Sequence, residues 1–164
     1  MNARCCAYSF LQEDGSSCDY EIMTDWLASE TAAVIHDSSF SSELLHCVEL
    51  IYHCNGSIRG RLAIEEEDLK WLNELYENLS QQVQIKSFVV PQGCKAAIGL
   101  HRLRVMAKAC VRLAYKCEKE GKRVDRRLLD FLNILSNVFF YMALIENQRA
   151  QVEEIPFVSK SYDC

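Results

Sequence analysis

FVVPQGCKAAIGLHRLRVMAKACVRLAYKCEKEGKRVDRRLLDFLNILSNVFFYMALIENQR, residues 88–149, places an extended Phe-Val-Val-Pro segment before two long apolar-periodic runs joined at a glycine. Pro91 keeps Val90 out of the helical region, so the first run is expected to begin near Gln92 and to extend to about Glu120. Gly121 closes it, and Asp125 can cap the second run, expected from about Arg126 to Arg149. In that second helix Leu128, Leu132, Leu135, Phe139 and Met142 form a strong apolar seam.

Polar residues on these two helices are arranged. Arg104, Lys108, Arg112 and Lys116 recur every four positions and form a cationic ridge beside Ile98, Leu103, Met106, Cys110, Val111, Leu113 and Cys117. Such a ridge serves either as a solvated face, or one making intersubunit salt bridges, or as a clamp for phosphate or nucleotide. On the second helix Asn133, Ser136 and Asn137 share a face, marking a hydrogen-bonded packing seam or a ligand face.

Upstream, three shorter helices are expected to pack around this pair. The first spans Tyr20 to His36, offering Ile22, Trp26, Ala33, Val34 and Ile35 to the core. Ser38 to Ser42 breaks it and supplies candidate N-caps for a second from Glu43 to Asn55, with Leu44, Val48 and Ile51 in period. Asn55-Gly56 is its stop signal. The acidic run from Glu65 to Asp68 suits the N-terminus of a third helix, which carries Leu69, Leu72, Leu75, Tyr76, Leu79 and Val83. Residues 1–18 read as a loop-rich segment, and the tail, residues 154–164, as loosely held.

With 164 residues, 49% apolar and 25% charged, the chain can bury a substantial core, and a single soluble domain over residues 1–164 is expected. No run of about 18 consecutive apolar residues predicts a membrane span, and no signal peptide is recognised. A net charge of −5 argues against a general nucleic-acid partner. The nine cysteines follow no extracellular disulfide spacing, which suits reduced thiols in the cytoplasm. Cys47 and Cys54, like Cys110 and Cys117, sit two helical turns apart, where core filling is the default. A metal site on Cys5, Cys6 and Cys18, or on His46, Cys47, His53 and Cys54, is the sharper alternative. No CxxC or HExxH supports it, so no metal ligand is assigned.

Phe88-Val89-Val90-Pro91-Gln92-Gly93, Ala96-Ala97, Leu100-His101 and Arg104 resemble the Phe-Ile-Leu-Pro-Gly-Gly, alanine, Leu-His and arginine pattern of the PduO-type ATP:cobalamin adenosyltransferases. Phe131-Leu132-Asn133-Ile134-Leu135-Ser136-Asn137 is similar to that family's Tyr-Leu-Asn-Arg-Leu-Ser-Asp. More weakly, Ser29-Glu30-Thr31-Ala32-Ala33 resembles its Asp-Glu-Leu-Asn-Ser, and Tyr8-Ser9 with Asp14-Gly15-Ser16-Ser17 its N-terminal phosphate loop.

The resemblance implies an all-α, five-helix bundle that assembles as a homotrimer, with cobalamin (a corrinoid) and Mg-ATP bound where subunits meet. It gives Phe88 the role of displacing cobalt's lower ligand. Arg104, Lys108 and Arg112 would hold the departing triphosphate, with His101, Asn133, Ser136 and Asn137 lining the cofactor site.

Departures from the pattern cluster on the phosphate side. The family's Arg-Arg-x-Glu reads Lys108-Ala109-Cys110-Val111 here. Ile134 replaces an arginine, Asn137 an aspartate, and Ser9-Phe10-Leu11-Gln12 stands for Thr-Arg-Thr-Gly. Each lost contact to developing charge costs roughly 3 kcal/mol, about a hundredfold in rate. Lys95, Arg59 and Arg102 are candidates to replace the missing cations. Three readings stay open: an active divergent adenosyltransferase, a corrinoid- or nucleotide-binding relative with little transfer, and a trimeric scaffold. The second is non-catalytic and could also only assemble with a partner, an intact adenosyltransferase or a corrinoid-dependent enzyme, and in the third the basic ridge makes salt bridges.

Overall fold

A computed structural model describes residues 11–85 and 87–161; Cys5, Cys6, Tyr8, Ser9, Phe10 and Cys164, which carry some of the expectations above, lie outside them. Among the described residues five helices carry the fold: α1 (Ser16–Val34), α2 (Ser41–Ser57), α3 (Glu66–Ser80), α4 (Lys95–Lys119) and α5 (Arg126–Arg149). Two short strands, β1 (Phe88–Val89) and β2 (Pro156–Phe157), form an antiparallel ribbon in which Phe88 faces Phe157 in register. The helices pack in the order α2, α1, α4, α5, α3, so the α4–α5 pair is central, as expected.

The α5 seam explains that centrality. Leu128, Leu132, Leu135, Phe139 and Met142 are all buried, together with their neighbours Phe131, Val138 and Ala143. Among the described residues α5 alone is long and apolar enough to cross a membrane, but 67% of its most apolar window is buried against the other helices. Its hydrophobicity is therefore used in packing.

Helix ends follow local chemistry in most places. Asp125 caps α5 by accepting from the Arg127 amide at 3.0 Å, and α3 opens with a capping box between Glu65 and Asp68. Helices α4 and α5 end in the same motif, with Lys122 N donating to Cys117 O and Val152 N to Asn147 O. The left-handed position of that motif is Gly121 (φ 87°) in α4 but Gln151 (φ 57°) in α5. Because a β-carbon is strained there, Gln151→Gly is expected to raise stability by about 1 kcal/mol in chemical denaturation. An unchanged or lower midpoint would contradict this account.

Several expectations are corrected. Helix α1 starts at Ser16, because the Glu120 carboxylate at the end of α4 accepts from the Ser16 amide at 2.9 Å and from its hydroxyl. A distant residue thus supplies the cap. Ile22, Trp26 and Ala33 face outward; the buried stripe is Tyr20, Thr24, Leu27, Ala28, Thr31 and Val34. Ile98 on α4 is likewise exposed. Ser38 and Ser39 do not cap α2 through their side chains; both hydroxyls and the Ser39 amide donate to buried Glu146 of α5. Asn55-Gly56 does not stop α2, which runs through Ser57. The tail is anchored by the β1–β2 ribbon, where Val90 N donates to Ile155 O at 2.8 Å.

Cys47, Cys54, Cys110 and Cys117 fill the core. Burial pushes the thiols of Cys47 and Cys54 up to about 12, and Cys110 and Cys117 also rise, chiefly through desolvation. These groups stay protonated and unreactive at neutral pH. His46 and His53 instead flank surface Glu49, so the two histidines and two cysteines occupy different faces of α2. Among the described residues no group of three His, Cys, Asp or Glu side chains converges on a metal position.

Candidate functional site

The ribbon leans over the α4–α5 pair and encloses an open cavity of about 770 Å³. The chain on either side of β1 contributes Ile85, Ser87, Phe88, Val89 and Pro91; α4 contributes His101, Arg104 and Lys108. Helix α5 adds Asn137 and Phe140, and the tail adds Phe157 and Ser159. Helical spacing accounts for the α4 and α5 contributions. His101, Arg104 and Lys108 are separated by three and four residues, as are Asn137 and Phe140 by three, so each set lies on one face.

Five residues singled out from the sequence, Phe88, His101, Arg104, Lys108 and Asn137, are therefore brought together. The other three lie elsewhere. Arg112 is exposed on α4 beyond the cavity lining; Asn133 is exposed, and its amide donates to Leu129 O at 2.8 Å. Ser136 is buried and donates to the backbone carbonyl of Arg104 at 3.2 Å, so it fastens α5 to α4. The Asn133-Ser136-Asn137 face thus divides between packing and cavity.

The cavity has an aromatic wall and a cationic end. Phe88 is 76% exposed, and Phe157 beside it on the ribbon is 51% exposed. Phe140 lies 6.1 Å from the His101 ring and 5.7 Å beneath the Arg104 guanidinium, a cation–π contact. Among the described residues no carboxylate lines the cavity. Within the chain, Arg104, Lys108, Arg112 and Lys116 form no ion pair among the described residues.

Two polar groups at this end lack partners among the described residues. His101 is 4% exposed, and neither ring nitrogen finds a hydrogen bond; Arg104 Nε is buried and equally unpartnered. Desolvation, followed by the positive charge of Arg104, lowers the imidazole to about 4. At neutral pH it is uncharged and can donate from one nitrogen and accept at the other. An unpaired imidazole and guanidinium edge beside aromatic rings suit a ligand that is flat or apolar in its body and polar or anionic at one end.

Positions where charge was expected point elsewhere. Val111 is buried in the core, Ala109 is half-buried, and Ile134 packs against the core from α5. The cations considered as replacements are engaged away from the cavity lining: Lys95 with Asp37, Arg102 with Glu30, and Arg59 with Glu13 and Glu21.

Phe140, Phe157 and Ser159 were not anticipated. Phe140 could have been found one helical turn beyond Asn137. Phe157 and Ser159 arrive through a pairing across 69 positions in the chain, Phe88 with Phe157, and no local pattern announces them.

Comparison with known proteins agrees with this architecture. Residues 27–146 match the cobalamin adenosyltransferase family model. The chain is 25% identical over 125 residues to the corrinoid adenosyltransferase of Bacillus subtilis (strain 168), a match covering 71% of this chain and 63% of that protein's length. Among solved structures, a variant PduO-type ATP:corrinoid adenosyltransferase from Lactobacillus reuteri complexed with cobalamin and ATP superimposes with a TM-score of 0.80. It is 22% identical, covering 88% of this chain and 85% of the other. A second variant of that type from the same organism, complexed with ATP, gives 0.82 at 23% identity, covering 89% of each chain. The solved structures establish the helical fold, and the family match over residues 27–146 shows that this chain belongs to the cobalamin adenosyltransferase family.

Proposed function

We propose that the chain binds a corrinoid, with ATP held more weakly, and that its adenosyl transfer is slowed at least a hundredfold relative to family members with a complete phosphate grip. The observation that carries this reading is the unequal condition of the site. The aromatic and imidazole elements, Phe88, His101, Phe140 and Phe157, line one cavity with Arg104 and Lys108. Val111, which replaces an acidic family residue, is part of the core.

In this reading the exposed Phe88 ring occupies the lower face of a corrinoid and disfavours an axial ligand there. His101, neutral at working pH, hydrogen-bonds a polar substituent. Arg104 and Lys108 attract anionic groups, and bound Mg-ATP would supply the adenosyl carbon and the triphosphate leaving group. With two cations where the family pattern has more, charge developing on the leaving triphosphate is under-compensated. The reading includes a homotrimer with the cavity completed at a subunit contact. It also includes a cytoplasmic role beside an intact adenosyltransferase or a corrinoid-dependent enzyme.

Titration of the purified protein with cob(II)alamin and ATP under a strong reductant tests this. The corrinoid spectrum is expected to shift on binding, with triphosphate release at least a hundredfold slower than from the Bacillus subtilis relative. Phe88→Ala and Arg104→Ala should each weaken corrinoid binding about tenfold or more. Transfer at the relative's rate would establish an active enzyme instead, and the absence of a spectral shift would leave the scaffold reading.

A further inference from the structure

We propose that Asn147 is a positioning residue for the cavity, setting the chain behind Phe88 and the chain leading to Phe157 in one register. Asn147 is fully buried at the end of α5, outside the cavity lining. Its side chain makes three hydrogen bonds to two separate segments. The side-chain oxygen Oδ1 accepts from Cys94 N at 3.0 Å, and Nδ2 donates to Gln92 O at 3.0 Å; both partners belong to the turn between β1 and α4. Nδ2 also donates to Glu154 Oε1 at 2.8 Å, two residues before β2. The Asn147 carbonyl accepts from Val152 N at 2.8 Å, fixing where the tail leaves α5.

The turn is built around this amide. Gly93 has φ 129°, a conformation side chains rarely adopt, and a β-carbon there would lie 1.8 Å from Asn147 Oδ1. A second tie across the same gap, Gln92 Nε2 to Glu153 O at 3.0 Å, reinforces it. Among the described residues the backbone pairing that joins Phe88 to Phe157 is a two-residue ribbon and the Val90–Ile155 bond, too little to hold itself. A buried amide that bonds both flanks supplies the missing constraint. Asn is required because one partner set donates and the other accepts; a carboxylate or an apolar side chain of similar size satisfies only part of it.

The inference rests on the corrinoid-binding reading for its second readout alone. The first is amide hydrogen exchange in the ligand-free protein. Asn147→Asp is expected to speed exchange of the Val90 amide and of residues 155–158 about tenfold, while amides in the middle of α4 and α5 keep their parental protection. A residue that merely stabilised the whole fold would speed the α4 and α5 amides equally, which would overturn the proposal. So would unchanged exchange at Val90. Should Asn147→Asp not fold, Glu154→Ala decides: a local increase supports the proposal and none overturns it, with Glu154→Gln expected to restore protection because it keeps an acceptor for Nδ2. In cob(II)alamin titrations the variants with local loosening are expected to lose affinity about tenfold. Parental affinity in a loosened variant would sink the positioning role, whereas a parent protein that binds no corrinoid refutes the functional reading and leaves the exchange result to stand.

Discussion

Val111→Glu, which restores the acidic residue of the family pattern, is expected to cost about 3 kcal/mol or more of folding stability instead of recovering transfer. Val111 is 8% exposed and belongs to the main hydrophobic cluster, so a carboxylate there is largely stripped of water. The penalty carries a pH signature. Burial raises the folded pKa of such a glutamate above its unfolded value, so destabilisation is full at neutral pH and is relieved as pH falls toward the usual glutamate range. Ala109→Arg provides the contrast: at a half-buried position the new side chain can extend toward solvent, and its cost should stay below about 1 kcal/mol. Urea denaturation of the two variants at neutral and acidic pH measures both effects. A Val111→Glu midpoint equal to that of the parent would show that the α4 face can turn this position outward, reopening the phosphate side of the site.

The reason that reversion fails also separates what the sequence made readable from what it did not. Helices α3, α4 and α5 announced themselves because their apolar periods are carried by large residues and their ends by local caps, Asp125 and Gly121 among them. Helix α1 was assigned the wrong face. Its buried stripe includes Ala28 and two threonines, Thr24 and Thr31, whose hydroxyls are satisfied within the helix by donation to Tyr20 O and Leu27 O, while Trp26 and Ile22 lie outside. A threonine that bonds its own helix can be buried like an aliphatic residue, and no apolar count registers that.

The site divides in the same way. Phe88 and His101 are legible through the family resemblance, and Arg104, Lys108 and Asn137 through resemblance and helical spacing together. Phe157 and Ser159 depend on a two-residue ribbon closed by the tail, and Glu146 and Asn147 look like an ordinary polar helix end. Their roles exist only through partners more than fifty positions away or across loops. Local pattern therefore located the helix faces of the cavity and missed the devices that close it.

His101 should make the ligand-free protein acid-sensitive and less stable than its packing allows. The ring is held at about 4 in the fold, first by desolvation and then by Arg104, against an ordinary value of 6.5. Between those two values the unfolded chain takes up a proton that the folded chain refuses, so stability falls as pH drops through this window and levels off below it. The contribution amounts to at most about 3 kcal/mol across the window, less where solvent screens the ring, and is present in full above pH 6.5 or so. His101→Leu removes the titration and two unpartnered buried nitrogens at once. It is expected to raise stability at neutral pH by about 1–2 kcal/mol and to flatten the acid limb, while weakening corrinoid binding about tenfold. Denaturation midpoints from pH 4 to 7.5, with and without cob(II)alamin, measure the three effects together. A variant that is less stable at neutral pH, or that keeps both the acid limb and parental corrinoid affinity, would mean that His101 is held by packing alone. The expected opposition between stability and binding is what a polar group retained for a ligand produces: it is costly in the empty fold and repaid when its hydrogen bonds are made.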